Sequence, residues 1–316
     1  MPDIVTMTIN PAVDLFVDVE RIEPTKKMRC SSPKRDPGGG GINVARVAFR
    51  LGGDVTAIYP AGGALGKLLH KLLDREGINS VVAPSHVETR ENFTAFETAS
   101  GEQYRFVLPG STLHRAEWEA CLDKLTTFAG KPAFVVASGS IPPGVPDDFF
   151  ARVVREAKRR GARSVVDTSG EALKEAIAEG VDIIKPNLNE LGEFTGRKLD
   201  SDAACVDACR TLIDAGRVQM VALTQGADGA LLVTKDRALK AQPMAIEVVS
   251  AVGAGDSFLG GLVWALAQGQ PPDEAFRVAI AAGSAAVMSA GTELCRETDV
   301  KRLMPKVEIG EIANAA

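Results

Sequence analysis

From about residue 130 onward the chain alternates between two rhythms, short and nearly unbroken apolar runs rich in valine and isoleucine, and longer stretches with apolar residues at helical spacing. The runs AFVVASGS (133–140), SVVDTSG (164–170), VDIIKPN (181–187), VQMVALT (218–224) and GALLVTK (229–235) have the length and composition of strands buried on both faces. Between them the pattern predicts helices near 147–160, 171–179 and 200–215, the alternation of a mostly parallel sheet covered by helices. DIVTMTI (3–9) and VTAIYP (55–60) read as further strands of that sheet, flanking a helix that opens after a run of glycines. The fold class is therefore α/β.

Some stretches break the rhythm. ENFTAFETASGEQYRFVLPG (91–110) alternates polar and apolar residues on either side of Ser100-Gly101, as a half-exposed antiparallel hairpin does. DLFVDVERI (14–22) and MRCSSPKRD (28–36) have the same character. Segments 14–36 and 90–109 thus predict a small β lid within a single chain unit, 1–316, and a sheet face without helices needs a ligand, a closing movement or another subunit to cover it. The end, VEIGEIANAA, is expected to fray.

Composition narrows the class. With 316 residues, 45% hydrophobic and 24% charged, the chain is that of a globular protein with a sizeable core. No stretch approaches the roughly 18 consecutive apolar residues that span a bilayer. The first residues lack a basic flank followed by an apolar run, so a cytoplasmic protein with no membrane partner is expected. A net charge of −5 argues against a nucleic-acid partner, and the basic run 152–163 reads as a solvated helix face. The five cysteines include no C-x-x-C pair and read as reduced thiols, and three histidines leave little room for histidine-based catalysis.

Three glycine-rich segments stand where strands give way to helices. In Pro37-Gly38-Gly39-Gly40-Gly41-Ile42-Asn43, four successive glycines carry an entropic cost that a close ligand approach explains better than a plain turn, and Asn43 would point an amide at the same place. In Ser250-Ala251-Val252-Gly253-Ala254-Gly255-Asp256, small residues entering a helix expose free N–H groups suited to phosphate. Asp256 is either a first-turn cap or a base that takes a proton from a nucleophile attacking that phosphate. Thr224-Gln225-Gly226-Ala227-Asp228-Gly229 is a common turn pattern or a ligand loop. Lys185-Pro186-Asn187-Leu188-Asn189-Glu190 ends a strand, where open α/β sheets place their crevice; Asn187 and Glu190 read equally as a capping box or as oxygen donors to a hydrated Mg²⁺. Neither common nucleotide fingerprint is present.

In this order, GGGGINVAR, KPNLNEL, TQGADGA and SAVGAGDS closely resemble the motifs of the ribokinase-like (PfkB) family of carbohydrate kinases, over nearly the whole chain from residue 10 to residue 295. Within it, KMRC (27–30), GGGG in place of the GGKG usual in fructose-1-phosphate and tagatose-6-phosphate kinases, and SGEQYRFVLPG (100–110) are most similar to the ribokinase-type 6-phosphofructokinases, the minor bacterial isozyme. The resemblance implies a three-layer sandwich with a β-sheet lid, and ATP-dependent phosphorylation of fructose 6-phosphate at its 1-hydroxyl. By the same resemblance Asp256 is the general base, Gly253, Ala254 and Gly255 hold the transferred phosphoryl charge, and Lys27 lies near the triphosphate. Asp14, Gly38, Gly39 and Asn43 would hold the sugar, Arg90 and Arg105 its phosphate, and Ser140 would be a further contact. Lys185, Asn187, Thr224, Gly226, Gly229 and Ser284 would line the ATP site, with Mg²⁺ held through water by Glu190 and Asn187.

Relatives can also bind K⁺ through backbone carbonyls, here those of Ser250, Val252, Ala286, Ser289 and Gly291, although Ser250-Ala251-Val252 replaces the polar pair usual before the glycine loop. A homodimer through the lid is the assembly the resemblance implies. Tagatose-6-phosphate kinase and 1-phosphofructokinase are alternatives within the chemistry. A sugar-phosphate sensor without turnover is an alternative outside it, whereas a nicotinamide-dependent dehydrogenase would need the fingerprint that is missing.

Overall fold

The computed structural model describes residues 3–289, 291 and 293–312. Its first half runs β1 (Ile4–Met7), β2 (Ala12–Val19), β3 (Cys30–Gly38), α1 (Gly40–Arg50), β4 (Val55–Ala61), α2 (Gly63–Glu76), β5 (Asn79–Pro84), β6 (Arg90–Glu97), β7 (Gln103–Phe106) and α3 (Arg115–Thr126). Alternating β/α units follow: β8 (Phe134–Ser138), α4 (Phe149–Arg159), β9 (Arg163–Asp167), α5 (Gly170–Glu179), β10 (Val181–Ile184), α6 (Leu188–Thr195), α7 (Asp202–Asp214) and β11 (Val218–Thr224). The chain closes with β12 (Ala230–Thr234), β13 (Ala238–Ala241), α8 (Ala254–Ala267), α9 (Pro272–Val287), α10 (Glu297–Leu303) and β14 (Ile309–Glu311).

Ten strands form one sheet in the order β14-β13-β12-β11-β10-β9-β8-β1-β4-β5. From β5 to β11 neighbouring strands are parallel, and β12, β13 and β14 are added antiparallel. The continuous apolar runs are explained by burial on both sides. Phe134 and Val136 face one core with α1, α8 and α9, whereas Val135 and Ala137 face a second core with α3, α4, α5 and α7. The period of two along each strand thus splits every run between two helical layers, which is the expected three-layer arrangement.

The second sheet has the order β3-β2-β6-β7. β6 and β7 pair antiparallel across the Ser100-Gly101 turn, but β2 and β6 are parallel, because the chain returns to the main sheet for β4 and β5 between them. Asp14, Asn92 and Asp36 lie in register and share one face, with Thr94 opposite Arg105. The other face carries Leu15, Val17, Phe93 and Ala95.

One expectation fails. The end does not fray from residue 307, since Ile309–Glu311 pairs with β13; residues 313–316 of that segment lie outside the described residues. The strand forms because Leu239 and Ala241 of β13 offer an edge for it to pair with, which local composition did not reveal. Among the described residues no helix is long and apolar enough to cross a membrane.

Candidate active site

The carboxyl ends of β8, β9, β10 and β11 and the first turns of α1 and α8 meet in one crevice. α8 is preceded by its N-cap Gly253, whose φ of 74° places it in the left-handed region; the turn admits the chain without a Cβ, which would stand 2.6 Å from Leu294 Cδ2. Asp256 follows in the first turn, one residue before Ser257, whose N–H donates to Gly253 O at 2.8 Å. Asn43, in α1, donates from Nδ2 to Asp256 Oδ2 at 2.8 Å although the two are 213 residues apart. Burial, followed by the charge of Asp167, pushes the Asp256 carboxyl up to about 6, against the opposing pull of Asn43 and Lys185.

Lys185 is buried just beyond β10 and contacts Asp167 Oδ1 at 3.1 Å. Burial works against its charge, yet Asp167, Asp256 and Glu190 together hold its ammonium above the ordinary lysine range. A Cβ on Gly255 would lie 3.4 Å from Lys185 Nζ, so the lysine lies against the helix start. Asn187 and Glu190 form the capping box of α6: Asn187 Oδ1 accepts from the Glu190 N–H at 2.9 Å, and Glu190 Oε2 accepts from the Asn187 N–H at 2.8 Å. Burial and then Asp167 hold the Glu190 carboxyl above its usual range despite that bond. Three carboxylates around one lysine leave an excess of negative charge that suits a cation. Among the described residues, however, no group of three acidic, cysteine or histidine side chains is arranged to hold a metal directly.

Thr224 ends β11 and its N–H donates to Pro186 O at 3.0 Å, joining the third glycine loop to the Lys185 segment. Gly226 opens a single 3₁₀ turn, and Gly229 has a φ of 89° with room for no side chain, since a Cβ would meet Ala241 O at 2.2 Å. Ser284 follows Gly283 in α9, where Gly283 packs against Ala254 O at the start of α8. The segments carrying Ser250, Val252, Ala286, Ser289 and Gly291 also meet. Ser250 Oγ donates to Gly291 O at 3.0 Å, the Ser250 N–H donates to Val287 O at 3.1 Å, and the Ser289 N–H donates to Ala286 O at 3.0 Å. Ala290 and Thr292 of this loop lie outside the described residues.

The second sheet presents Asp14 to the same crevice. Asn92 Nδ2 donates to Asp14 Oδ1 at 2.7 Å, and burial holds the Asp14 carboxyl above its usual range, against the pull of Asn92, Arg90 and Arg105. Gly38 lies so close that a Cβ there would fall 2.3 Å from Asp14 Oδ2, and Gly39 follows with a φ of 110°. Arg90 donates to Asn10 O at 3.0 Å and to Leu108 O, while Arg105 stands exposed on β7. Ser140 is bound by Asn10 Nδ2 at 3.0 Å, and the same nitrogen donates to Pro109 O. Lys27 sits on the exposed loop between β2 and β3, at the end of the second sheet where Val19 pairs with Cys30.

Asp167, Asn92 and Asn10 belong to this arrangement but carry no motif, and Arg46 belongs to it as the last residue of GGGGINVAR, where its place in the motif suggests no role. Asp167 had one available signal, a lone carboxylate within the predicted strand run SVVDTSG; the strand ends at that residue, the position where such sheets place ligand-binding groups.

Residues 5–299 match the family described as "pfkB family carbohydrate kinase". The chain is 43% identical over 301 residues to the ATP-dependent 6-phosphofructokinase isozyme 2 of Mycobacterium tuberculosis H37Rv, covering 95% of this chain and 88% of the relative. Phosphofructokinase-2 from Escherichia coli in complex with potassium superposes with a TM-score of 0.92 at 37% identity, covering 97% of this chain and 99% of that one. The tetrameric inhibited form of the same E. coli protein gives a TM-score of 0.91 at 36% identity, with the same coverage. That tetramer corrects the expected homodimer. A sheet face in need of cover says that something packs there, whereas the number of copies is set by the symmetry of all contacts between chains, which one sequence does not display.

Proposed function

The chain belongs to the pfkB family of carbohydrate kinases, and from that premise we propose that it transfers the γ-phosphoryl group of ATP to the 1-hydroxyl of fructose 6-phosphate, giving fructose 1,6-bisphosphate and ADP. It is an enzyme of ribokinase-like fold, and its chemistry is ATP-dependent phosphorylation of a sugar phosphate. The observation that carries the finer reading is the meeting of Asp256, at the start of α8 and bonded by Asn43, with the Asp14, Arg90 and Arg105 face of the second sheet.

In this reading the second sheet, from segments 14–36 and 90–109, is a lid over the sugar. Asp14, Gly38, Gly39 and Asn43 hold hydroxyls, with Ser140 at the margin, and the guanidinium groups of Arg90 and Arg105 grip the existing phosphate. Asp256, ionised above about pH 6, accepts the proton of the attacking hydroxyl as its oxygen bonds to the γ-phosphorus and the bond to ADP breaks. The N–H groups of Gly253, Ala254 and Gly255, at the positive end of α8, face the charge on the moving group. Lys185, Thr224, Gly226, Gly229 and Ser284 line the nucleotide. Lys27, on the exposed loop between β2 and β3, would approach the triphosphate from the second sheet.

The excess of carboxylate around Lys185, without a direct ligand set, fits Mg²⁺ held through water by Glu190 and Asn187, where it would neutralise phosphate charge. The segments that carry Ser250, Val252, Ala286, Ser289 and Gly291 meet, and their backbone carbonyls would hold a monovalent cation such as K⁺. A reaction that consumes ATP supports a cytoplasmic location for the chain. The test is ADP release with ATP, Mg²⁺ and, in parallel, fructose 6-phosphate, tagatose 6-phosphate and fructose 1-phosphate. The highest kcat/KM is expected with fructose 6-phosphate. Dominance of either other sugar would overturn the substrate assignment, and absence of turnover with all three would favour a sensor.

A further inference from the structure

We propose that Arg46, held by Glu76, is a positioning residue for the phosphoryl transfer: its guanidinium fixes which way the Asn43 amide points and so keeps a hydrogen-bond donor on Asp256. The inference rests on the reading of Asp256 as the base.

Arg46 lies on α1, three residues after Asn43, and its side chain is only 2% exposed, the largest among those fully buried. Nη1 donates to Pro37 O at 2.9 Å and to Asn43 Oδ1 at 3.4 Å, while Nε and Nη2 donate to Glu76 at 3.0 and 2.6 Å. A guanidinium can only donate, so Asn43 must turn its oxygen to Arg46, which leaves Nδ2 toward Asp256 Oδ2. The flipped amide would set NH₂ against the guanidinium and C=O against the carboxylate, and both contacts repel. An amide whose two ends are nearly equal in shape thereby becomes a donor in one direction only.

A buried ion pair gives little net stability over apolar packing, so α1 gains little from Arg46 as mere filling. Glu76, the last residue of α2, also takes Arg50 Nη2 at 3.5 Å, and Arg50 in turn donates to the carbonyls of Leu294 and Cys295. The carboxylate is therefore tied from two sides and cannot swing away with Arg46. The charged groups around Asp256 are Asp167 at the end of β9, Lys185 beyond β10 with Glu190 behind it, and Asp14 on β2. Those around Arg46 are Glu76, Arg50 and Asp14.

The test compares kcat/KM for the sugar phosphate against pH, together with thermal unfolding, in wild type, Arg46→Met, Glu76→Gln, Asn43→Ala and the double variant Asn43→Ala/Arg46→Met. Loss of a hydrogen bond to an ionised group is worth about one pH unit in the acid limb. Arg46→Met is expected to move that limb up by about that amount, Glu76→Gln to move it the same way by less, and Arg46→Met to add nothing once Asn43 is alanine. Simple long-range charge effects would move the limbs of Arg46→Met and Glu76→Gln in opposite directions, since one loses a cation and the other an anion. Opposite shifts, or limbs that stay in place while the unfolding temperature falls, would make Arg46 a structural ion pair and overturn the proposal. Should Arg46→Met not fold, Glu76→Gln, whose side chain is partly exposed, decides by the same criterion. Asp256→Asn is measured alongside: wild-type turnover in that variant would remove the base reading itself, an outcome distinct from unmoved limbs in an enzyme that still needs Asp256.

Discussion

Replacing Gly38 by alanine should disable sugar binding while leaving the nucleotide side intact. Gly38 is the last residue of β3 and pairs with Ala12, so the backbone is tied down two residues from Asp14. An alanine Cβ would stand 2.3 Å from Asp14 Oδ2, 2.5 Å from Cγ and 2.7 Å from Oδ1. Carbon contacts settle near 3.5 Å, so the carboxylate has to withdraw by about 1 Å. It cannot do so freely, because Asn92 Nδ2 holds Oδ1 at 2.7 Å. Breaking that charge-assisted bond costs about 1.5–3 kcal/mol, and a misplacement of about 1 Å in a substrate ligand is worth on the order of 10²-fold in rate. The expected result is a fall of about 10- to 100-fold in kcat/KM for fructose 6-phosphate, with KM for ATP changed by less than about twofold. The assay is coupled ADP release, with each substrate varied at saturating levels of the other. Gly310→Ala is the control, since nothing lies within 4 Å of a Cβ there. A Gly38→Ala enzyme with wild-type kcat/KM for the sugar phosphate would refute the reasoning, because Asp14 would then be no ligand of the sugar.

Asp256→Asn should bind both substrates in calorimetry yet lose about 10²–10⁴ in kcat. The Asp256 carboxyl is raised to about 6 by burial, so its proton stabilises the folded state at low pH and that contribution is lost as pH rises from about 4 through 6. The asparagine variant, which never ionises, should therefore unfold at a higher temperature than wild type at pH 8, by on the order of 3 kcal/mol of stability, with the difference shrinking toward pH 4; equal unfolding temperatures at pH 8 would contradict the burial argument. Arg105→Ala, at an exposed strand position, should raise KM for the sugar phosphate about tenfold or more without changing the unfolding temperature or KM for ATP. Gly229→Ala should be destabilised by roughly 1–3 kcal/mol, read by denaturant unfolding, because its φ of 89° and the Ala241 carbonyl at 2.2 Å leave no relaxed place for a methyl group.

The parallel part of the main sheet was legible because each of its central strands is an apolar run, and such a run needs helices on both sides wherever it sits. The boundaries were less so. VDIIKPN reads as one strand to residue 187, but the strand stops at Ile184, because Pro186 has no N–H to give the ladder and Asn187 turns to cap α6. β13 and β14, only four and three residues long, are too short to show a period, and they are strands because each finds an edge to pair with.

The site divides along the same line. Local sequence determined the glycine loops, the helix start that carries Asp256, and the capping pair Asn187 and Glu190, since these depend on neighbours within one turn. Only the tertiary structure decided that Asn43 meets Asp256 across 213 residues, that Asp167 stands against Lys185, and that Arg46 and Glu76 stand behind Asn43. A hydrogen bond acts over about 3 Å and a charge is worth most where water is excluded. Both conditions are set by which distant segments pack together, and no spacing along the chain records that.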